Sequence, residues 1–323
     1  MAEQWQRRRQ ILSVLNEQKT FVSGEDLAKQ LGVTRATISN HIDALEQAGV
    51  GIYSVKGKGY KLEKPVPLID GDALVHQIDN RCFYFDEIDS TNSFVLKHAE
   101  ELKSGDICIA EYQSAGRGRR GRKWASPYGS HLYASMLWQF PQGMAQAMGL
   151  SLVVGCSLTA VLEKLGLSDV AVKWPNDVYL EGKKLAGILV EMSGQVDGEC
   201  QVVIGTGVNL SMPTTAAEQI GQPWADIVSQ QTLPDKTEFA IALHQQLKAD
   251  IQAFEQSGLS AFVERWQQVD LYCDKPIKLL MADNVVEGIC RGIDAQGALL
   301  LEVAGEVKAF VGGEITVRKV RLN

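Results

Sequence analysis

The sequence predicts an α+β protein in three parts: an N-terminal winged helix-turn-helix, a central mixed β-sheet with helices, and a small C-terminal β-barrel. Three observations carry this. A capped two-helix pattern around a glycine turn runs into a hairpin with a basic tip. From about residue 68 to 270, strand-like and helix-like stretches alternate. From Pro276 the pattern turns to short strands separated by turn signals. The implied units are 1–65, 66–271 and 272–323.

In the first unit, Ser23 followed by Asp26 is a capping box opening a helix through Leu31, Gly32 supplies a tight turn, and Thr34 caps a second helix running to about Gln47. Ile38, Ile42 and Leu45 fall on one face, so they form the buried stripe against Leu27, Ala28 and Leu31. The other face carries Arg35, Thr37, Ser39 and Asn40, the short polar groups and arginine suited to base edges in a major groove. Ile52–Val55 and Tyr60–Leu62 flank a tip containing Lys56 and Lys58, which would neutralise phosphates without reading sequence. Packing alone could also explain two helices and a ribbon; the ordered set of cap, turn, polar face and basic wing favours DNA. Charge agrees. Residues 1–64 carry ten bases against seven acids, leaving −10 of the total −7 to the remainder. Pro65 and Pro67 then interrupt any continuing element.

In the middle, Ile107–Tyr112, His131–Trp138, Val170–Lys173, Ile188–Met192 and Gln201–Thr206 read as strands, and Gly143–Leu165 and Lys236–Ser257 as helices. The C-terminal strands are expected around Ile277–Met281, Val285–Ile293, Ala298–Val303 and Ile315–Val320, with turns at Asp294–Gly297 and Gly312-Gly313. So small a β-unit needs to lean on its neighbour. The six cysteines form no C-x-x-C pair, which disfavours a disulfide framework or structural zinc and suits a reducing cytoplasm. Trp5–Leu15, with Arg7-Arg8-Arg9, is too short an apolar run for a signal or membrane segment, and no longer one is expected elsewhere. The role of the three arginines is open.

Chemistry is expected where glycine and positive charge coincide, in Gln113 to Trp124, which follows an apolar strand and includes Gly116, Arg117, Gly118, Arg119, Arg120, Gly121, Arg122 and Lys123. Glycines let backbone N–H groups approach an anion and the cations balance a phosphate. A solvated basic loop or a nucleic-acid patch has the same composition. A phosphate-binding P-loop is excluded by the absence of its motif. Asp89-Ser90-Thr91-Asn92 offers hydroxyls at a helix start, either as a cap or as a ligand grip. Lys173-Trp174-Pro175-Asn176-Asp177, Lys184 with Gly187, and Gly205 to Asn209 each mark a strand end or turn.

Together, and in this order, these motifs resemble the bacterial bifunctional biotin protein ligase and biotin operon repressor over nearly the whole chain, Gly312-Gly313-Glu314 included. The resemblance implies a class II synthetase/biotin ligase-like central fold and an SH3-like C-terminal barrel. It implies that ATP, with Mg²⁺, activates biotin as biotinyl-5′-AMP, and that biotin then passes to a lysine of biotin carboxyl carrier protein. Lys184 and Arg119 are implied as catalytic. Ser90, Thr91, Asn92, Gln113, Arg117, Gly118, Trp124, Asn176, Gly187 and Asn209 are implied to bind biotin or the adenylate, with Asn209 approaching the adenine. Asp177 is a candidate to orient the metal or Lys184. The adenylate would promote a homodimer that sets two recognition helices on operator DNA, with no membrane involved. A lipoate-type ligase and a non-enzymatic ligand-sensing repressor are the alternatives.

Overall fold

In the computed structural model, which describes residues 2–194, 199–218, 220–281, 284–311 and 316–319, helices α1 (Ala2–Glu17), α2 (Gly24–Leu31) and α3 (Arg35–Gln47) precede the hairpin β1 (Ile52–Val55) and β2 (Gly59–Leu62). The expected caps form. Ser23 Oγ accepts the Asp26 N–H at 3.0 Å, Thr34 Oγ1 accepts the Thr37 N–H at 3.1 Å, and Gly32 turns the chain at φ 65°. Ile38, Ile42 and Leu45 are buried with Leu27 and Ala28, while Leu31 is half-buried.

The apolar run at Trp5–Leu15 is more than a non-membrane segment: it is α1, whose Trp5, Ile11, Leu12 and Leu15 share one core with α2 and α3. The three arginines divide their work. Arg7 Nη1 donates to the Leu31 carbonyl at 2.8 Å, satisfying the open end of α2. The Arg8 guanidinium lies 4.3 Å from the Trp5 ring centroid. Arg9 reaches out of the helix-turn-helix altogether, to Tyr84, Asp86 and the Ile69 carbonyl.

The central sheet has the order β3-β4-β5-β9-β8-β7-β6. Its strands are β3 (Cys82–Phe85), β4 (Ile107–Ala110), β5 (His131–Phe140), β6 (Val170–Lys173), β7 (Asp177–Leu180), β8 (Lys183–Gly194) and β9 (Cys200–Asn209). Only β3 and β4 pair parallel, so the sheet is mixed as expected. The expected first strand stops at Ala110 rather than Tyr112, and β3 and β7 are strands beyond those expected.

Side-chain alternation sorts the sheet's two faces. Ile107, Ile109, Met136, Trp138, Val202 and Ile204 point to the core beneath α6 (Leu150–Lys164) and α8 (Lys236–Ser257), whereas Cys108, Leu137 and Val203 meet Val95 of α5 (Thr91–Lys97) on the other face. Shorter helices α4 (Gly71–Gln77), α7 (Thr214–Ala217) and α9 (Val263–Val269) complete the layers. The helix expected from Gly143 breaks at Gly149, where φ is 86°. One expectation about membranes needs correction. Met144–Lys164 is long and apolar enough to cross one by length and composition, but 67% of its most apolar window is buried in the protein.

The last sheet is antiparallel, ordered β13-β12-β11-β10-β14, from β10 (Pro276–Met281), β11 (Asn284–Ile293), β12 (Leu299–Val303), β13 (Glu306–Phe310) and β14 (Thr316–Lys319). Ile277, Leu279, Leu301 and Val317 belong to the same core cluster as α6 and α8, so this unit does lean on the central one. Among the described residues β13 and β14 do not pair with each other. Gly312, Gly313, Glu314, Ile315 and Val320 lie outside the described residues.

Candidate active site and nucleic-acid interface

Three glycines open a cleft on the α5 face of the sheet. By alternation Gly187, Gly205 and Gly207 occupy the face that Val203 and Leu137 fill elsewhere, and Gly187 stands opposite Gly207 in the β8–β9 ladder. A Cβ on Gly207 would lie 2.8 Å from Trp124 Cε2, and one on Gly187 would lie 2.9 Å from Trp124 Cζ3. The indole therefore rests flat on bare backbone. A Cβ on Gly205 would overlap the Asn92 amide. The resulting cleft encloses about 1210 Å³ including its open mouth.

Most residues expected at the site converge there: Ser90, Thr91, Asn92, Gln113, Arg117, Gly118, Arg119, Trp124, Asn176, Asp177, Lys184 and Gly187 all line it. Ser90 is indeed the α5 cap, accepting the Ser93 N–H at 3.4 Å, and it also faces the cleft. Gln113 Oε1 accepts the Thr91 N–H at 2.9 Å and the Thr91 hydroxyl at 3.1 Å. Ser135 Oγ lies 2.7 Å from Thr91 Oγ1 and 2.5 Å from Asn92 Oδ1. Asn92 Nδ2 donates to Glu191 at 2.8 Å, and Arg117 reaches the same carboxylate at 3.2 Å. This wall is a preformed polar network.

The opposite wall is charged. Among the described lining residues eight are cationic (Arg117, Arg119, Arg120, Arg122, Lys123, Lys173, Lys184 and Arg318) against one anion, Asp177. The excess marks a place for a polyanion. The loop folds back on itself through Gly118 N–H to the Arg122 carbonyl at 2.7 Å and Trp124 N–H to the Gly116 carbonyl at 3.0 Å. Arg119 Nη1 donates to Asn176 Oδ1 at 3.0 Å, and Asn176 is itself tied to Ile188. Burial, then neighbouring Arg120, lowers the Arg119 pKa. Lys184 Nζ sits 2.7 Å from Asp177 Oδ1 and 5.4 Å from the Trp124 ring, and its backbone is held by Pro223 and Ala225. Burial lowers Lys173 to about 8.

Asn209 is set apart from the others. Its buried Nδ2 donates to the Ala225 carbonyl at 2.9 Å and the Lys184 carbonyl at 3.4 Å, so here it braces the backbone behind Lys184 rather than lining the cleft. Sequence reasoning missed Ser135, Glu191, Gln222 and Arg318. The last two come from segments without a motif, and only chain folding brings them in. Among the described residues no group of three or more His, Cys, Asp or Glu could hold a metal ion.

On the helix-turn-helix, Arg35 and Asn40 are exposed on α3 and Lys56 and Lys58 are exposed on the hairpin tip, whereas Ser39 is half-buried. The Thr37 hydroxyl is 2.9 Å from that of Thr34, engaged in the cap. Of the four residues expected at base edges, Arg35 and Asn40 are therefore the exposed ones.

Family models match in the same order as the fold: "HTH domain" over residues 7–61, "Biotin/lipoate A/B protein ligase family" over 84–209, and "Biotin protein ligase C terminal domain" over 272–318. The chain is 48% identical over 299 residues to the bifunctional ligase/repressor BirA of Salmonella typhimurium, covering 92% of this chain and 93% of the other. It is 37% identical over 253 residues to the biotin–[acetyl-CoA-carboxylase] ligase of Paracoccus denitrificans, covering 70% and 98%. The biotin protein ligase of Aquifex aeolicus, solved with biotin and ATP, superposes with a TM-score of 0.64 at 25% identity, covering 74% of this chain and 99% of that one.

Proposed function

The chain belongs to the biotin protein ligases that carry an N-terminal DNA-binding domain, the bifunctional ligase/repressors, and from that starting point we propose how its cleft works. It is a biotin–[acetyl-CoA-carboxylase] ligase with a DNA-binding helix-turn-helix. The biotin carboxylate attacks the α-phosphate of ATP, forming a C(O)–O–P bond as pyrophosphate leaves. An amine of a lysine on biotin carboxyl carrier protein then attacks the acyl carbon, and AMP departs. The first step brings two anions together, so it needs fixed cations and donors more than a strong base.

The observation that carries this reading is the eightfold cationic wall beside a glycine floor capped by Trp124. Lys184, steadied by Asp177, bridges the carboxylate and α-phosphate. Arg119, aimed by Asn176, and Arg117 hold the phosphate. Ser90, Thr91, Asn92, Gln113 and Gly118 take the biotin side, and Trp124 covers the adenylate over Gly187 and keeps water out. Asn209 acts through the Lys184 backbone. Mg²⁺ would take its ligands mainly from phosphate oxygens, in keeping with the single lining carboxylate among the described residues, and would supply the charge that neutralises the leaving pyrophosphate; Asp177 is the residue that would approach it.

The setting we propose is cytoplasmic. The adenylate-bound homodimer places Arg35, Ser39 and Asn40 of two α3 helices on operator bases and Lys56 and Lys58 on phosphates, with units at 1–65, 66–271 and 272–323.

The test is exchange of labelled pyrophosphate into ATP by the full chain, with biotin or lipoate. Biotin-dependent exchange that falls by about 10²–10³ in Lys184→Ala, the scale of removing one transition-state donor, supports the reading. Folded protein that exchanges with lipoate alone, or with neither acid, overturns it in favour of the lipoate ligase or the ligand-sensing repressor.

A further inference from the structure

We propose that Asp43 is a specificity-determining residue of the recognition helix α3, accepting a hydrogen bond from the exocyclic amino group of one cytosine in the major groove of each operator half-site. The inference rests on the DNA-binding reading of the helix-turn-helix and is independent of the ligase chemistry.

Helical spacing sets which face of α3 points furthest from the core. Ile38, Ile42 and Leu45 are buried within the helix-turn-helix. Ala36, Asn40, Asp43 and Gln47 repeat at the same spacing two residues out of phase, about 200° around a helix of 3.6 residues per turn, and all four are exposed. Arg35 and Glu46 lie on the flank towards the hairpin instead. A Cβ on Gly24, at the start of α2, would lie 3.7 Å from Arg35 Cγ and 3.1 Å from Tyr60 Cε2, and Glu46 Oε1 accepts the Ser54 hydroxyl at 3.3 Å. The outward stripe thus offers a methyl, an amide, a carboxylate and a second amide, with no cation.

A carboxylate on that stripe needs a reason, because phosphates repel it. Helix α3 holds one base, Arg35, against two acids, Asp43 and Glu46, so its own charge opposes DNA. His41 adds nothing to the positive side, since burial, then Arg8, lowers its pKa. Glu46 has the hairpin as partner, whereas Asp43 has no hydrogen bond or ion pair among the described residues. An ionised carboxylate only accepts, and in the major groove the base donors are cytosine N4 and adenine N6. Adenine sets the N7 acceptor beside its amino group, which repels the second carboxylate oxygen; cytosine has no acceptor there. Asn40, with a donor and an acceptor, matches adenine instead. It lies three residues before Asp43, about 4.5 Å along the helix, which is on the order of one base-pair step of about 3.4 Å. The two therefore read neighbouring base pairs while Lys56 and Lys58 take phosphates.

The experiment supplies the full chain with biotinyl-5′-AMP and selects from duplexes randomised across two half-sites. Asp43→Ala and Asp43→Asn are then titrated with the selected duplex, with single base-pair changes of it and with an unselected duplex. Asp43→Ala loses about five- to a hundredfold in affinity for the selected duplex, the scale of one base contact, and no longer distinguishes cytosine at one position in each half-site. Asp43→Asn moves the preference at that position towards adenine. Both variants keep the parent's circular dichroism spectrum. If Asp43→Ala binds every duplex more tightly by one common factor, the carboxylate does no more than repel phosphate and the proposal is overturned; unchanged base preferences in both variants overturn it equally. A parent that selects no sequence removes the DNA-binding reading along with it.

Discussion

Replacing Lys236 with methionine isolates the most deeply buried ionic contact in the central unit. Lys236 Nζ lies 2.5 Å from Glu111 Oε2, and both side chains are wholly buried. Burial pulls the lysine pKa down and Glu111 opposes this. Methionine fills much of the same volume but leaves the Glu111 carboxylate buried without its nearest cation. Breaking one side of a buried pair costs about 3–5 kcal/mol. Glu111 keeps the Ile69 N–H at 2.7 Å, the Tyr84 hydroxyl at 3.1 Å and Arg9 at 3.6 Å, which places the expected cost at the lower end, about 3 kcal/mol. Adding Glu111→Gln removes the stranded charge, so the double variant recovers most of that loss. Native-state hydrogen exchange of β4 and β5 amides in urea reads the change in the unit that contains the pair. A single variant that loses less than about 1 kcal/mol, or a double variant no more stable than the single, refutes the reasoning.

Three further outcomes are expected. His131 is buried with neither ring nitrogen partnered, and burial, then Lys236, pushes its pKa down to about 3. The unfolded chain thus binds the extra proton between about pH 6.5 and 3, so stability falls as pH drops through that window, by about 4 kcal/mol at its foot; His131→Asn flattens this part of the pH–stability curve. Gly207→Ala sets a methyl 2.8 Å from Trp124 and lifts the indole, lowering pyrophosphate exchange by about ten- to a hundredfold with an unchanged circular dichroism spectrum. Arg119→Gly removes a cation held by Asn176, so it releases the adenylate early in single-turnover assays; retention equal to the parent's counts against its role.

Local rules were sufficient wherever one residue and its near neighbours decide the outcome. The caps at Ser23 and Thr34, the stripe of Ile38, Ile42 and Leu45, and the long helix from Lys236 all depend on spacing within a few turns, and all are present. Most residues expected at the site converge on one cleft, yet the density of glycine and arginine did not mark it, since a solvated basic loop or a nucleic-acid patch has the same composition; the ordered set of motifs did. α1 was missed although Trp5, Leu12 and Leu15 sit at helical spacing, since the arginine run interrupts the stripe that Arg8 in fact covers. β3 and β7 were not expected either, and their length is not the reason, since β4 and β6 are equally short and were.

By itself the sequence determined the parts: three units, their helices and hairpin, a cationic glycine loop and the residues with polar chemistry to offer. Only the tertiary structure decided which face of the sheet becomes a cleft, because that depends on Gly187, Gly205 and Gly207 aligning across two antiparallel strands. It decided too that Met144–Lys164 is a core helix, that Asn209 braces Lys184 from behind, and that Arg9 belongs to the catalytic unit's ion network rather than to DNA. Each of these outcomes turns on a partner distant in sequence, and neither spacing nor composition along the chain carries that information.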